Sequence, residues 1–346
     1  MKETKCYSAD QEKGKLSGSA IQRRNLQPSD VAIQIKYCGV CHSDIHAVNN
    51  DWGNTIYPIV PGHEITGLVT AVGQDVRKFK VGDRVGVGCF VDSCTQCAER
   101  DIEREQYLPG LIMTYNSMEK NASLPTYGGY SESIVVNEGY VLHIADNLPL
   151  DASAPLLCAG ITLYSPLKKW NAGDGTRVAI IGMGGLGHIG LRIAKAMGAN
   201  VTILSRTLSK KEDGLKLGAD AYHATNDETT FTKLSGSFDL IISTVAEPLD
   251  WNCYLALLKI DGVLALVGAP TVPVPVSAFS LIPQRKILTG SLIGSIKETQ
   301  EMLDFCAQHG IVSEIEIISM DQINEAYQRV LRSDVRYRFV IDMQTL

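Results

Sequence analysis

Thiol and imidazole side chains cluster in the first half of the chain in a pattern typical of metal binding. They occur in three segments: Cys38-Gly39-Val40-Cys41-His42-Ser43-Asp44-Ile45-His46, Pro61-Gly62-His63-Glu64 and Leu157-Cys158-Ala159-Gly160. A catalytic zinc ion takes three protein ligands and keeps one position open. Cys41, His63 and Cys158 would supply two sulfurs and one nitrogen to such a site. Glu64 would either fill the open position when substrate is absent or stand behind the metal, and the spacing leaves both arrangements open.

A glycine-rich turn in the second half of the chain matches the pattern G-x-G-x-x-G. It comprises Gly182, Met183, Gly184, Gly185, Leu186 and Gly187. The turn follows an apolar strand pattern over 177–181 and opens a helical pattern over 186–197, which is the context that a dinucleotide site needs. Glycine lets the backbone approach a pyrophosphate, and the helix N-terminus offers unpaired N–H groups. We therefore predict a dinucleotide site here, and the alternative is a purely structural turn.

The residues at the end of the next strand indicate which dinucleotide binds. An NAD site usually has an acidic residue about 20 residues after the glycines, where it binds the ribose 2′-hydroxyl. This chain instead has Ser205, Arg206, Thr207 and Lys210, and no carboxylate before Glu212. Hydroxyls and cations suit a 2′-phosphate, so the sequence favours NADP. The alternative is a solvated basic turn, which would leave the preference open.

Two different patterns of elements must position these residues. Up to about residue 150 the chain has irregular strand patterns over 31–37, 65–72 and 81–88, interrupted by glycine and proline, which predicts a barrel-like β domain. From residue 177 strands alternate with helical patterns, which predicts a doubly wound parallel sheet. Helical patterns over 297–308 and 321–331 and a strand over 338–342 complete the chain. The predicted fold class is therefore α/β with an additional β-rich domain.

Composition and charge exclude several classes of function. The 346 residues carry a formal net charge of -6 and no run of Lys or Arg, so no nucleic-acid partner is indicated. The N-terminal segment is polar, and no stretch of about 18 apolar residues exists to span a membrane. We therefore expect a cytoplasmic protein. The nine cysteines are an odd number, which favours free or metal-bound thiols over a disulfide framework.

Several motifs together identify a family. The stretches CGVCHSDIH, YPIVPGHEITG, VGDRVGVGC, APLLCAGIT, GMGGLG and YRFVID occur in order along the whole chain. In these motifs the chain resembles the zinc-dependent medium-chain alcohol dehydrogenases, and within them the cinnamyl alcohol dehydrogenase group and its bacterial aldehyde reductase relatives. The resemblance implies a GroES-like catalytic domain over 1–149 and 292–346, interrupted by a Rossmann NADP-binding domain over 150–291.

The resemblance also implies roles for individual residues. The catalytic zinc positions of the family fall on Cys41, His63, Glu64 and Cys158. The proton relay falls on Ser43 and His46, and Asp44 would orient His63. The cofactor positions of the family, beyond the glycine-rich turn and the residues after it, fall on His42, Thr162, Thr244, Gly268, Ser291 and Ile293. A relay is needed because the alcohol must lose a proton before the hydride leaves.

One motif departs from the family. Most members of the group carry a structural zinc ion on four closely spaced cysteines. Here Cys94 and Cys97 supply the first two positions, but Arg100 and Leu108 occupy the third and fourth. Two thiolates do not close a tetrahedral site. We therefore expect one catalytic zinc per chain and no structural zinc, and the state of the two cysteines stays open.

The predicted function is NADP-linked interconversion of a primary alcohol and an aldehyde, mainly as an aldehyde reductase. Trp52, Tyr57 and Phe90 are candidates to line an apolar pocket for an aromatic or medium-chain aliphatic substrate, with core packing as the alternative for each. A polyol dehydrogenase and a non-catalytic NADP(H)-binding sensor are the alternative functions. The resemblance implies a homodimer.

Overall fold

The chain folds into two compact units, and in sequence the second unit interrupts the first. The computed structural model describes residues 1–93, 104–120, 124–270 and 272–346. The first unit comprises Met1–Cys158 and Gly294–Leu346, and the second comprises Ala159–Ile293. Each unit has its own core of buried apolar side chains. The sequence-based division had placed the boundaries at 149/150 and 291/292.

Short strands dominate the first segment of the first unit, as the irregular patterns predict. The strands are β1 (Lys2–Ser8), β2 (Ser17–Arg23), β3 (Asp30–Gly39), β4 (Ile65–Val72), β5 (Arg84–Val87), β6 (Phe90–Asp92), β7 (Ile112–Met113), β8 (Ser133–Asn137) and β9 (Leu142–His143). Two short helices, α1 (His42–Val48) and α2 (Leu150–Ser153), accompany them. β1 pairs with β2 and β6 with β7, and the other strands belong to a larger sheet.

The second unit is built around a parallel sheet. Its helices are α3 (Ala159–Lys169), α4 (Gly187–Ala196), α5 (Lys211–Lys216), α6 (Thr229–Lys233) and α7 (Trp251–Ala256). Its strands are β10 (Arg177–Ile181), β11 (Asn200–Ser205), β12 (Ala221–Ala224), β13 (Phe238–Ser243), β14 (Leu258–Leu266) and β15 (Ile287–Gly290). The strand order is β12-β11-β10-β13-β14-β15, with every pair parallel. This order confirms the predicted doubly wound fold.

The chain then returns to the first unit. This segment contains α8 (Ile296–His309), β16 (Ile315–Ile318), α9 (Ile323–Leu331) and β17 (Arg338–Asp342). A capping box at Ser295 and Glu298 starts α8, and Gly310 with a left-handed φ of 63° ends it. The larger sheet of this unit has the order β16-β17-β3-β4-β5-β9, and β8 also pairs with β3.

Strand pairing in this sheet brings together the segment that carries Cys41 and the segment that carries His63. β3 and β4 are antiparallel, with Cys38 opposite Ile65. The Gly39 N–H continues the pairing and donates to the Glu64 carbonyl at 2.9 Å. The segment that leaves β3 therefore lies next to the segment that enters β4. In the described parts of the chain, no helix has the length and apolar character needed to cross a membrane.

Candidate active site

Four of the predicted metal ligands meet in the first unit. The potential ligand atoms of Cys41, His63, Glu64 and Cys158 all lie within 4.8 Å of one another, and all four side chains are buried. Cys41 stands directly before α1, and His63 and Glu64 lead into β4. Cys158 follows a single turn of 3-10 helix. Two thiols, an imidazole and a carboxylate form a donor set that suits zinc.

The Glu64 carboxylate faces this cluster because position 39 is a glycine. A Cβ atom added to Gly39 would lie 1.9 Å from Glu64 Oε2, so a larger residue would displace the carboxylate. Arg338, the first residue of β17, donates to Glu64 Oε1 in an ion pair buried from solvent. Glu64 Oε2 is buried and accepts no hydrogen bond from the described residues. A bound cation would satisfy this carboxylate oxygen beside two thiols.

Contacts between the thiols determine which of them is ionised. A hydrogen bond with Cys158 lowers the pKa of Cys41 well below its ordinary value, although burial opposes the shift. Hydrogen bonds with Cys41 and Cys89, together with burial, raise the pKa of Cys158 well above its ordinary value. Of the two thiols, Cys41 is therefore the more acidic and Cys158 the one that favours its proton. Cys89 lies beside the cluster, and sequence reasoning did not select it.

The other two candidate ligands also hold protons more tightly than they would in water. Burial lowers the pKa of His63, but the negative charges of Cys89 and Asp44 outweigh burial and raise it well above its ordinary value. Burial raises the pKa of Glu64 to about 7, against the opposing charge of Arg338. Metal binding to such a cluster displaces protons, because zinc takes deprotonated ligands.

Asp44 is placed to orient His63. The Asp44 side chain is fully buried, and its Oδ1 lies 3.3 Å from His63 Nδ1. The backbone N–H groups of Gly62 and Cys41 donate to its two oxygens at 3.1 and 2.9 Å. Because a carboxylate accepts only, the proton of the imidazole belongs on Nδ1 and Nε2 is left for a metal.

The two predicted relay residues lie one turn apart on α1. Ser43 and His46 are separated by three residues and so share a face of the helix. His46 Nδ1 lies 2.7 Å from Asp51 Oδ2. Sequence reasoning missed Asp51, which lies beyond the end of α1, and its only signal was its nearness to His46. His42 is exposed at the start of the same helix.

The three candidate pocket residues have different surroundings. Trp52 is 44% exposed, and its ring centroid lies 5.3 Å from that of His46. Tyr57 is half-buried and donates its hydroxyl to the Val48 carbonyl at 2.8 Å. Phe90 is buried and packs edge-on against another ring. Trp52 is therefore the member of this set that lies exposed beside His46.

The glycine-rich turn of the second unit has the geometry that its pattern predicts. Gly182 follows β10 with a φ of 97°, and a Cβ atom there would lie 2.6 Å from Thr244 Oγ1. A Cβ atom at Gly187, the first residue of α4, would lie 1.9 Å from the Gly182 carbonyl oxygen. Neither position has room for a side chain, and the turn leads directly into a helix N-terminus.

Other predicted cofactor residues stand at or after the carboxyl ends of strands of the same sheet. Ser205 ends β11, Thr244 follows β13, Gly268 follows β14 and Ser291 follows β15. Because the sheet is parallel, these ends share one edge, where doubly wound folds bind ligands. After β11, Arg206 and Thr207 are exposed and Lys210 directly precedes α5. Thr162 is buried within α3. Ile293, with a φ of 38°, is the last residue of the unit.

The predicted loss of a structural zinc concerns a segment that is mostly outside the described residues. Cys94, Cys97 and Arg100 are among these. Leu108 is described and is half-buried after a turn of 3-10 helix.

Parts of both units match known protein families. Residues 27–146 match the alcohol dehydrogenase GroES-like domain, and residues 185–308 match the zinc-binding dehydrogenase family. The NADP-dependent alcohol dehydrogenase C 1 of Mycolicibacterium smegmatis is 59% identical, with 100% of this chain and 99% of that protein covered. The aldehyde reductase YahK of Escherichia coli is 52% identical, over 98% of this chain and 97% of that protein.

A solved structure gives the same result for the fold. The cinnamyl alcohol dehydrogenase SbCAD4 of Sorghum bicolor superposes with a TM-score of 0.97 at 41% identity, covering 99% of this chain and 98% of that chain. These similarities confirm the resemblance and the GroES-like plus Rossmann fold class predicted from the motifs. The chain therefore belongs to the zinc-binding alcohol dehydrogenase family, whose members carry a GroES-like domain.

Proposed function

We propose that this protein is a zinc-dependent, NADP-linked alcohol dehydrogenase that works mainly as an aldehyde reductase. The observation that carries the proposal is the buried cluster of Cys41, His63, Glu64 and Cys158 in a chain of the zinc-binding dehydrogenase family. The names of the M. smegmatis and E. coli relatives, an NADP-dependent alcohol dehydrogenase and an aldehyde reductase, support the cofactor and the direction.

Cys41, His63 and Cys158 would hold the zinc ion, and Glu64 would be an exchangeable fourth donor. Two thiolates and the Glu64 carboxylate, with the Arg338 guanidinium, sum to a charge of about -2, which a divalent cation neutralises. When bound there, zinc supplies a Lewis acid that polarises an aldehyde carbonyl and lowers the pKa of an alcohol. Arg338 holds one oxygen of Glu64 and leaves the other free to face the cation.

Ser43 and His46 would move the proton that accompanies hydride transfer. In the reducing direction the product oxygen takes a proton from the Ser43 hydroxyl, which is replenished from His46. Asp51 accepts a hydrogen bond from Nδ1–H of His46, so Nε2 is the atom that exchanges the proton. The half-buried His46 then recovers its proton from solvent.

The second unit would bind NADP(H). The glycine-rich turn would approach the pyrophosphate, and Ser205, Arg206, Thr207 and Lys210 would bind the 2′-phosphate. Thr207 and Ser209 already form a hydroxyl pair, with 3.0 Å between their oxygens. A turn of hydroxyls and cations binds a phosphate dianion and gives no acceptor pair for a ribose diol. Because NADPH pools generally favour reduction, we propose that the enzyme works mainly in the direction of aldehyde reduction.

The substrate would be an aromatic or medium-chain aliphatic aldehyde. Trp52, exposed beside His46, supports this class because an indole offers a flat apolar surface to an apolar chain or ring. A polyol would instead need several polar partners at the same place.

We also propose one zinc ion per chain, because Arg100 and Leu108 stand where the family has cysteines. A metal count near two per chain would contradict this.

A homodimer through the second unit is part of the same proposal. β15 ends the sheet and pairs with β14 alone among the described strands. Exposed apolar side chains occur in these two strands and near them, at Ile260, Phe279, Ile282, Ile287 and Leu292. An apolar edge strand favours pairing with a second copy. Light scattering tests this, since a monomer would contradict it. A metal cluster that uses unpaired thiols supports a cytoplasmic location, where thiols stay reduced.

A panel of substrates tests the enzymatic proposal. The zinc content of the purified protein is measured first, and then the consumption of NADPH with cinnamaldehyde, benzaldehyde and hexanal. We expect about one zinc per chain and turnover of these aldehydes. Oxidation of mannitol or sorbitol with NADP and no aldehyde reduction would favour a polyol dehydrogenase. Tight NADPH binding without turnover of any substrate would favour a sensor.

A further inference from the structure

We propose that Tyr130 and Tyr115 are positioning residues of the metal site, whose hydroxyl groups hold the Asp44 carboxylate that orients His63. This inference rests on the proposed function, because His63 is taken as a zinc ligand. Neither tyrosine belongs to the motifs that identify the metal ligands or the relay. Both are buried in the first unit, with exposures of 0% and 8%.

The surroundings of Asp44 lead to this inference. Asp44 is a fully buried acidic residue whose ion pair is with His63, and a neutral His63 leaves the carboxylate with no cation. A buried carboxylate needs hydrogen-bond donors in place of water. Two backbone N–H groups supply part of this requirement. A carboxylate has about four acceptor sites, and these donors with His63 take three of them, so about one site is left for a hydroxyl group.

Two tyrosines lie where a hydroxyl could use this capacity. The Tyr130 hydroxyl donates to Asp44 Oδ2 across 3.4 Å. Burial and the nearby Asp44 carboxylate raise the pKa of Tyr115 well above its ordinary value, which supports a place for its hydroxyl at the same carboxylate. Tyr327 takes no direct part, because its hydroxyl donates to the Tyr130 oxygen at 3.4 Å and reaches Asp44 only through it. The three phenols form a graded set, with Tyr130 in contact with the carboxylate, Tyr115 close enough for the carboxylate to shift its pKa, and Tyr327 behind Tyr130.

Backbone hydrogen bonds link the segment of Tyr130 to the segment that carries His63. Gly128 N–H donates to the Val60 carbonyl at 2.7 Å, Gly129 N–H to Gly62 at 2.8 Å and Tyr130 N–H to Pro61 at 3.0 Å. A Cβ atom at Gly62 would lie 2.8 Å from a ring carbon of Tyr130. These contacts leave the Tyr130 ring little freedom, so its hydroxyl stays at the carboxylate.

Tyr115 approaches from a different segment and also touches His63. Its ring centroid lies 5.7 Å from that of His63, at an interplanar angle of 31°. The two tyrosines therefore support Asp44 from independent parts of the chain. Without either hydroxyl, the carboxylate has fewer donors and binds the His63 Nδ1–H in a less defined orientation. The ring then presents Nε2 to the metal with less precision, and outer partners of this kind affect metal affinity about 10–100-fold.

The test is the rate at which a chelator removes zinc from the Tyr130→Phe and Tyr115→Phe variants. Each substitution keeps the ring and removes only the hydroxyl. We expect zinc release about 10-fold faster or more in each variant, and a shifted visible absorption spectrum of the cobalt-substituted protein, which a merely structural loss would not give. Tyr327→Phe is the matched control, since it removes a buried hydroxyl of the same set that does not touch Asp44. Its release rate should stay within about threefold of the wild-type rate.

Wild-type zinc release and a cobalt spectrum unchanged in both Phe variants would overturn the inference. Equal acceleration by all three variants would also overturn it, because general loosening of the core would explain that result. Should the Phe variants not fold, wild-type protein labelled with 13C in the tyrosine rings gives the answer. Slow exchange of two or more hydroxyl protons is then expected, and fast exchange of all of them contradicts the inference. Wild-type protein that binds no zinc would instead reject the proposed function.

Discussion

The metal cluster of the first unit and the dinucleotide turn of the second unit are organised in opposite ways. The cluster draws its residues from three segments that together span more than 100 positions, and all of them are buried. The turn is contiguous in sequence, and the side chains that follow it at Arg206 and Thr207 are exposed. The fold therefore holds the cluster in place by burial, whereas the side chains proposed to select the cofactor are exposed to solvent. Substitutions in the cluster should abolish activity, and substitutions in the turn should change the preference for NADPH over NADH.

The largest effect is expected from a ligand of the cluster. Cys158→Ser should lose zinc and lower aldehyde reduction by about 1,000-fold or more, since Lewis-acid stabilisation of several kcal/mol is lost. Zinc analysis and steady-state rates measure both changes. Cys253→Ser is the matched control, because Cys253 is a partly exposed thiol bonded to Asp250 in the second unit. If Cys158→Ser kept its zinc and a tenth of the wild-type activity, the proposed difference between the metal cluster and the dinucleotide turn would be contradicted.

The relay should give a smaller effect than the cluster. Asp51→Asn replaces the carboxylate that accepts from the His46 Nδ1–H with a neutral amide, which can also turn its NH2 group toward Nδ1 and so no longer fixes the tautomer. The rate of alcohol oxidation should fall about 10–100-fold, with zinc content unchanged. Steady-state rates and zinc analysis measure both quantities. Asp146→Asn, at a carboxylate whose side chain is fully exposed, should behave as wild type. Equal rates in the two variants would exclude Asp51 from the proton path.

The exposed turn should change preference without loss of chemistry. Ser205→Asp combined with Arg206→Ala places a carboxylate where the 2′-phosphate would bind and removes one cation. The ratio of kcat/KM for NADPH to that for NADH should fall about 10–100-fold, while kcat with saturating cofactor stays similar. Lys216→Ala, an exposed cation in the last turn of α5, serves as the control. An unchanged ratio would mean that the basic turn is only a solvated surface.

The pH dependence of zinc binding sharpens the account of the cluster. The raised pKa values of Cys158 and His63 mean that both groups are protonated near neutral pH before the metal binds. Zinc binding should therefore release protons, and the apparent affinity should fall as the pH is lowered, by about tenfold per pH unit for each proton released. Calorimetry in buffers of different ionisation enthalpy counts these protons. Binding without proton release would show that the cluster is already deprotonated.

Sequence reasoning succeeded where the chemistry is local in the chain. The turn at Gly182 and Gly187 could be predicted because strand, glycines and helix follow one another directly. The strand patterns over 65–72, 177–181 and 338–342 coincide with β4, β10 and β17. By contrast, β5 covers only Arg84–Val87 of the pattern over 81–88, because Gly82, with a φ of 92°, lies in a turn before the strand.

Partners that only tertiary structure brings together could not be predicted. Arg338 pairs with Glu64 across 274 positions, and its only local signal is a cation at the start of an apolar strand. The spacing left the role of Glu64 open, and the fold turns its carboxylate to the cluster because position 39 is a glycine. Phe90 was a pocket candidate, but it is 3% exposed, a burial that a single aromatic residue in sequence does not reveal.

The most direct test of the account is the initial rate of benzaldehyde reduction by the zinc-loaded protein, measured with NADPH and with NADH. Both regions must work for this rate to appear, and the turn after β11 must select the cofactor. We predict turnover with NADPH and about a 10-fold or greater preference for it over NADH in kcat/KM. The absence of turnover with either cofactor, in protein shown to contain one zinc ion per chain, would contradict it.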